Sequence, residues 1–152
     1  QVAKDGALTA NAAKTWADLN KAGVRIAVPQ ASSMDKFLTE NTPNATIQRF
    51  PGNGEAIAAF QAGRADAVCL FHPPLLAARQ KLGTGKIVVP TPAKSQASSA
   101  AVRKEDKAFL AFVDKQLADY YKGGQTQKWY EEFLVGFGLD PKASPPVMKE
   151  ML

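Results

Sequence analysis

The sequence predicts an α/β fold: a three-layer α/β/α lobe with a mostly parallel sheet, followed by C-terminal helices. Three observations predict it. Strand-like and helix-like stretches alternate along the first hundred residues, the order that builds parallel sheets through helical crossovers. Several strand-like runs are apolar without a break, as strands covered on both faces are. Past residue 105 the strand signal stops and aromatic residues recur at helical spacing. Apolar residues fill 45% of the 152 positions and charged residues 22%, a globular mixture of a length that suits one domain better than two.

The elements follow in order. Thr15-Trp16-Ala17-Asp18 reads as a capping box that opens a helix, with Asp18 three residues after the cap. Residues 24–28 form a β-rich run after Gly23. Ser32-Ser33-Met34-Asp35 is a second capping box, opening a helix with Phe37 and Leu38 turned inward. Residues 45–50 alternate at period two and stop at Pro51-Gly52. Residues 55–62 are helical and close at Gly63. Residues 65–71 are an apolar strand around Val68, Cys69 and Leu70. Pro73 and Pro74 suit the first turn of a helix over 75–82, which Gly83 closes. Residues 86–89 are a strand ended by Pro90, and residues 98–103 a weaker one. Phe109, Phe112, Val113, Leu117 and Tyr120 then mark one helix, stopped by Gly123-Gly124. Trp129, Phe133 and Phe137 mark another over 127–137. Pro141, Pro145 and Pro146 break the chain before a short tail at 147–152.

Composition excludes several classes of function. No apolar run approaches the ~20 residues of a spanning helix. One cysteine and one histidine exclude a disulfide framework and a multi-histidine metal site. The net charge is +5, but its basic residues arrive singly, without the clustered face of a nucleic-acid binder. Residues 1–104 carry 13 basic and 6 acidic side chains, and residues 105–152 carry 6 and 8. The expectation is a positively biased lobe, no nucleic-acid partner, no cofactor and no metal. The chain opens at Gln1 without an initiator Met, as a processed or partial chain does, so no location follows from a missing targeting signal.

The candidate chemistry is sparse. At Gln30-Ala31-Ser32-Ser33 a strand meets a helix N-terminus, where backbone amides, the helix dipole and two hydroxyls suit a carboxylate or phosphate. The same residues also read as a plain N-cap. Phe71 and His72 end an apolar strand, at the edge where open α/β sheets bind ligands. Phe71 would wall a site there and His72 would donate a hydrogen bond or titrate, or else simply cap the next helix. Arg64 and Asp66 read as a charge pair near a site or, more simply, as a helix-to-strand corner. Gly83-Thr84-Gly85-Lys86 lacks the spacing of a phosphate loop. No G-x-S-x-G nucleophile elbow occurs, and no catalytic residue is assigned. Asn44-Ala45-Thr46 fits a glycosylation triplet.

Taken in order, these stretches resemble the extracytoplasmic solute-binding proteins of ABC importers, the family of polar amino-acid binders with a periplasmic-binding-protein-like fold. The matching stretches are Thr15 to Leu19, Val24 through Gln30 to Ser33, Glu55 through Gly63 to Val68, Ala100 to Lys104, and Gly123 through Trp129 to Tyr130. The resemblance implies two lobes joined by hinge strands, with the solute trapped between them. Residues 6–97 would form one lobe, residues 1–5 and 98–104 the hinge strands, and residues 105–152 helices belonging to the other lobe. Gln30, Ser32, Ser33, Phe71 and His72 would bind the solute. Ala31 stands where the family usually has glycine. Phe71 stands where amino-acid binders commonly place an aspartate for the ligand's ammonium. A carboxylate-bearing solute is implied, an amino acid or an organic or aromatic acid. The implied partner is the membrane permease, and the implied location is periplasmic, or extracellular and membrane-associated. The exposed aromatic helices predict self-association or domain exchange. Two alternatives share the scaffold: a periplasmic dehydratase of prephenate- or arogenate-like acids, and the sensor domain of a receptor.

Overall fold

The computed structural model describes residues 2–10, 13–97 and 99–143. Contacts divide the chain into two compact units. One is Lys4–Ser95. The other comprises Gln1–Ala3 and Gln96–Leu152.

The first unit is a three-layer lobe. Its strands are β1 (Val2–Thr9, which begins in the other unit), β2 (Arg25–Pro29), β3 (Thr46–Phe50), β4 (Ala67–Phe71) and β5 (Lys86–Val88). They lie in the order β3-β2-β4-β1-β5, and β6 (Ser95–Ala97) pairs with β1. β2 runs parallel to β3 and to β4, with Ile26 opposite Ala67 and Ala27 opposite Val68. β1 runs antiparallel to both β4 and β5, so the sheet is mixed. The expected hinge crossing over 1–5 is thus continuous with a strand that runs on to Thr9, in the middle of the sheet. Gly6 is required there, because a Cβ would lie 2.9 Å from the Val88 carbonyl oxygen.

Alternation along the strands separates two cores. On one face Ile26, Val28 and Cys69 pack with Trp16 and Leu19 of α1 (Trp16–Leu19) and with Met34 and Leu38 of α2 (Ser33–Asn41). On the other, Ala27, Val68 and Leu70 pack with Ala56, Ala59 and Phe60 of α3 (Asn53–Gln61) and with Leu75 and Ala78 of α4 (His72–Leu82). A strand with both faces covered reads as continuously apolar, which is why residues 67–71 look as they do. The Thr15 box is complete: Asp18 N–H donates to Thr15 Oγ1 at 3.2 Å, and Thr15 N–H donates to Asp18 Oδ2 at 2.9 Å. Gly83 ends α4 at φ +68°, the left-handed stop that glycine allows.

The second unit holds α5 (Lys107–Lys122), α6 (Gln125–Gly136) and a 3-10 turn at Pro141–Ala143. Tyr120 meets Trp129 edge to face at 5.1 Å, and Phe133 meets Phe137 at 4.8 Å. Among the described residues of the two helices, Leu134 is the one that is buried. Residues 99–103 are not a strand, so the weak strand expected over 98–103 is corrected. Strand pairing occurs three residues earlier, in β6, which pairs with β1. The tail at 147–152, with Pro145 and Pro146, lies outside the described residues.

Candidate functional site

Three parallel strands, β3, β2 and β4, end at one edge of the lobe. The β2–β4 ladder pairs Ile26 with Ala67 and Ala27 with Val68; Gln30 follows the end of β2, and Phe71 ends β4, the neighbouring strand. Gln30 is exposed and its N–H donates to the Phe50 carbonyl at 2.8 Å, which ties the turn after β2 to the end of β3. Phe71 is 46% exposed while the next residue, His72, is 7% exposed. These adjacent candidates therefore have opposite access. His72 is not the helix cap: Phe71 holds that position, and His72 is the first residue of α4.

The turn at 30–33 has a defined set of bonds. Ser32 is the N-cap of α2: its Oγ accepts the Asp35 N–H at 3.1 Å and donates to the Pro29 carbonyl at 2.7 Å. A hydroxyl has one proton. The proton of Ser32 is therefore taken, and its backbone amide is what it has to offer a solute. The second capping box is only half formed. The Asp35 carboxylate reaches past the cap and accepts the Ala31 N–H through Oδ2 at 3.0 Å. Ala31 sits at φ +57°, the left-handed region that L-residues other than Asn and Asp seldom enter.

The other oxygen of Asp35 accepts from Arg49 Nε at 2.9 Å, and Arg49 Nη2 donates to Thr39 Oγ1 at 2.8 Å. Asp35 and Arg49 are residues that sequence reasoning left without a role at the site. Arg49 lies two residues beyond Ile47, which packs on the α2 side, and its own side chain is 44% exposed, so periodicity alone does not point to it. Ser32, Ser33, Asp35, Thr39 and Arg49 border one open groove of about 380 Å³ along α2. Gln30, Phe71 and His72 do not border it.

At the opposite edge, Asp66 pairs with Arg25 and not with Arg64. The Arg25 guanidinium donates through Nε to Oδ2 at 3.0 Å and through Nη2 to Oδ1 at 2.9 Å, and the Arg25 amide donates to Oδ2 at 2.9 Å. These bonds hold the Asp66 carboxyl below the ordinary aspartate range. The arrangement joins the starts of β2 and β4 and is structural. Gly83 to Lys86 is a turn into β5, with Gly85 at φ +85° packed against Leu8 and Phe60.

No family model matches the chain, and no curated protein matches it. Solved structures do. The chain is similar to an ancestral amino-acid-binding protein described as a precursor of cyclohexadienyl dehydratase. The identity is 31%, over 88% of this chain and 58% of that one, with a TM-score of 0.73. An ancestral cyclohexadienyl dehydratase is 26% identical over 88% of this chain and 57% of its own, with a TM-score of 0.55. An amino-acid ABC transporter substrate-binding protein from Streptococcus pneumoniae, bound to L-arginine, has a TM-score of 0.77 over 90% of this chain and 59% of its own. Its identity is 17%, a likeness of fold. The chain thus spans less than two thirds of the length of each.

Proposed function

We propose that this chain, which has the fold of the amino-acid-binding solute-binding proteins of ABC transporters, is part of the extracytoplasmic solute-binding component of such an importer. Its lobe would supply one wall of a cleft, with the hinge segments at 1–5 and 98–104 and the helices of 105–152 belonging to the other side. The observation that carries this reading is the edge where β2, β3 and β4 end together, with the 30–33 turn and the exposed Phe71 on neighbouring strands.

The turn would meet the solute's carboxylate with the amides at the start of α2, where the helix dipole favours an anion. Ser32 and Ser33 belong to that contact and Gln30 opens it. Phe71 would meet the rest of the solute through an apolar face that offers an ammonium group no carboxylate. His72 lies behind it and would act on the solute only through the packing of α4. The solute class that fits is a small acid whose body is apolar or aromatic. Its partner would be the membrane permease, and its location outside the cytoplasmic membrane. Among the described residues no helix is long and apolar enough to cross a membrane. In its 152-residue form the exposed aromatic faces of α5 and α6 would drive self-association.

A matched pair of probes tests the solute class: 3-phenylpropionate and L-phenylalanine, which differ by the ammonium group. In the full-length protein, 3-phenylpropionate is expected to raise the melting temperature more, since a ligand that binds only the folded state stabilises it by mass action. The reverse ranking overturns the role given to Phe71. Conversion of prephenate, followed by ultraviolet absorbance, would mark the protein as an enzyme and overturn the binding-only reading.

A further inference from the structure

The turn proposed to meet the solute is held in shape by residues behind it, and we infer that Asp35 and Arg49 are positioning residues for that turn. The inference rests on the solute-binding reading above. Ala31 occupies a left-handed conformation at φ +57°, which an alanine avoids because its Cβ crowds the neighbouring carbonyl. Glycine would adopt it freely. An alanine there has to be held.

Three consecutive residues are tied down. Gln30 N–H donates to the Phe50 carbonyl at 2.8 Å, Ala31 N–H to Asp35 Oδ2 at 3.0 Å, and Ser32 Oγ–H to the Pro29 carbonyl at 2.7 Å. The middle bond is the one made by a side chain from outside the turn. Asp35 is itself fixed, being 8% exposed and bonded to Arg49 through Oδ1 at 2.9 Å. Thr39 closes the ring: its Oγ1 accepts from Arg49 Nη2 and donates to the Asp35 carbonyl, each at 2.8 Å. The planar guanidinium serves two acceptors at once, which the point charge of a lysine does less well.

Arg49 has a second effect. An unpaired carboxylate at the start of α2 would repel an anionic solute from the amides beside it. The guanidinium offsets that charge and keeps the helix terminus attractive to an anion. The clamp therefore sets both the shape and the charge of the edge.

The test uses the full-length protein, with 3-phenylpropionate and L-glutamine as probes followed by calorimetry. Asp35→Ala is expected to weaken binding of whichever probe the unaltered protein takes, by about fivefold to thirtyfold, the factor that the left-handed penalty supports. Adding Ala31→Gly to Asp35→Ala is expected to recover about threefold or more, because glycine enters the turn unaided. A residue that only stabilised the fold would not be rescued in affinity by that glycine. Arg49→Lys, at an exposed side chain that leaves the core intact, serves if Asp35→Ala does not fold, and is expected to weaken binding about threefold. Amide hydrogen exchange at Ala31 reads the clamp without a ligand and is expected to quicken in both variants. Unchanged affinity in a folded variant, no recovery with Ala31→Gly, or unchanged exchange at Ala31 overturns the inference. An unaltered protein that binds neither probe overturns the solute class and the claim on affinity, and exchange at Ala31 then decides the clamp alone.

Discussion

The lobe and the helix pair put their apolar sequence to opposite ends. In the lobe Leu8, Ile26, Val28, Leu38, Val68 and Leu75 are fully buried. In α5 and α6, Phe109, Phe112, Trp129, Phe133 and Val135 are between 42% and 62% exposed, and among the described residues of the pair Leu134 alone is buried. A sheet with helices on both faces closes over its own core. Two helices with aromatic stripes bury only what they turn on each other, and here the ring contact between them is Tyr120–Trp129, while Phe133–Phe137 lies along α6 itself. The amphipathic pattern of a helix therefore reports a surface that needs covering, not what covers it.

The sharpest test of that contrast is the lobe's core. Leu8→Ala removes a fully buried side chain that touches the second core and packs against Gly85. It is expected to destabilise the lobe by about 2–5 kcal/mol, as buried leucines do when truncated. Urea denaturation followed by circular dichroism measures it. A loss below about 1 kcal/mol would mean that the lobe does not depend on its central antiparallel strand.

That strand also marks where sequence reading stops. Runs such as residues 67–71 and caps such as Thr15–Asp18 are legible because their signals are local: continuous apolarity in one case, three-residue spacing in the other. Residues 2–9 carry no such signal. Lys4, Asp5 and Gly6 break any alternation, yet Ala7 and Leu8 are fully buried, because the position between β4 and β5 comes from the fold. The partners of Asp66 and Asp35 were hidden for the same reason. Arg25 and Asp66 lie 41 residues apart, and Arg49 on β3 lies 14 from Asp35 on α2, so the packing of strands and crossover helices creates contacts that no local spacing announces. Of the proposed solute contacts, the turn and Phe71 could be placed from the order of elements. The use of the Ser32 proton within the cap could not, since it depends on where the Pro29 carbonyl points.

A smaller effect is expected at the Arg25–Asp66 pair, which fastens the lobe at the edge away from the turn. Its side chains are 40% and 36% exposed, so solvent screening holds the contribution of the pair to about 1 kcal/mol or less. Asp66→Asn is expected to cost that much at neutral pH. The folded carboxyl titrates lower than in the unfolded chain because of its hydrogen bonds to Arg25. Its contribution is therefore fully present above the unfolded value of about 3.9 and fades as pH falls through the lower folded value. The unaltered protein should lose its advantage over Asp66→Asn as pH drops below about 4. A difference between the two proteins that stays undiminished well below about pH 4 would show that the carboxylate's charge is not what matters there.

The smallest effect on stability is expected on the helix pair, and it is the one that separates the two regions most cleanly. Phe112→Ser and Val135→Ser alter side chains that are 58% and 62% exposed. Substitutions at such sites usually shift stability by less than about 0.5 kcal/mol, so denaturation of the 152-residue chain should barely move. Association should respond instead. If α5 and α6 drive contact between copies, the two changes remove apolar area from the contact and sedimentation velocity should show a shift toward monomer. A chain that still associates after both changes has another sticky surface. A chain that loses stability along with them was already burying this face in solution, which would erase the contrast between lobe and helices.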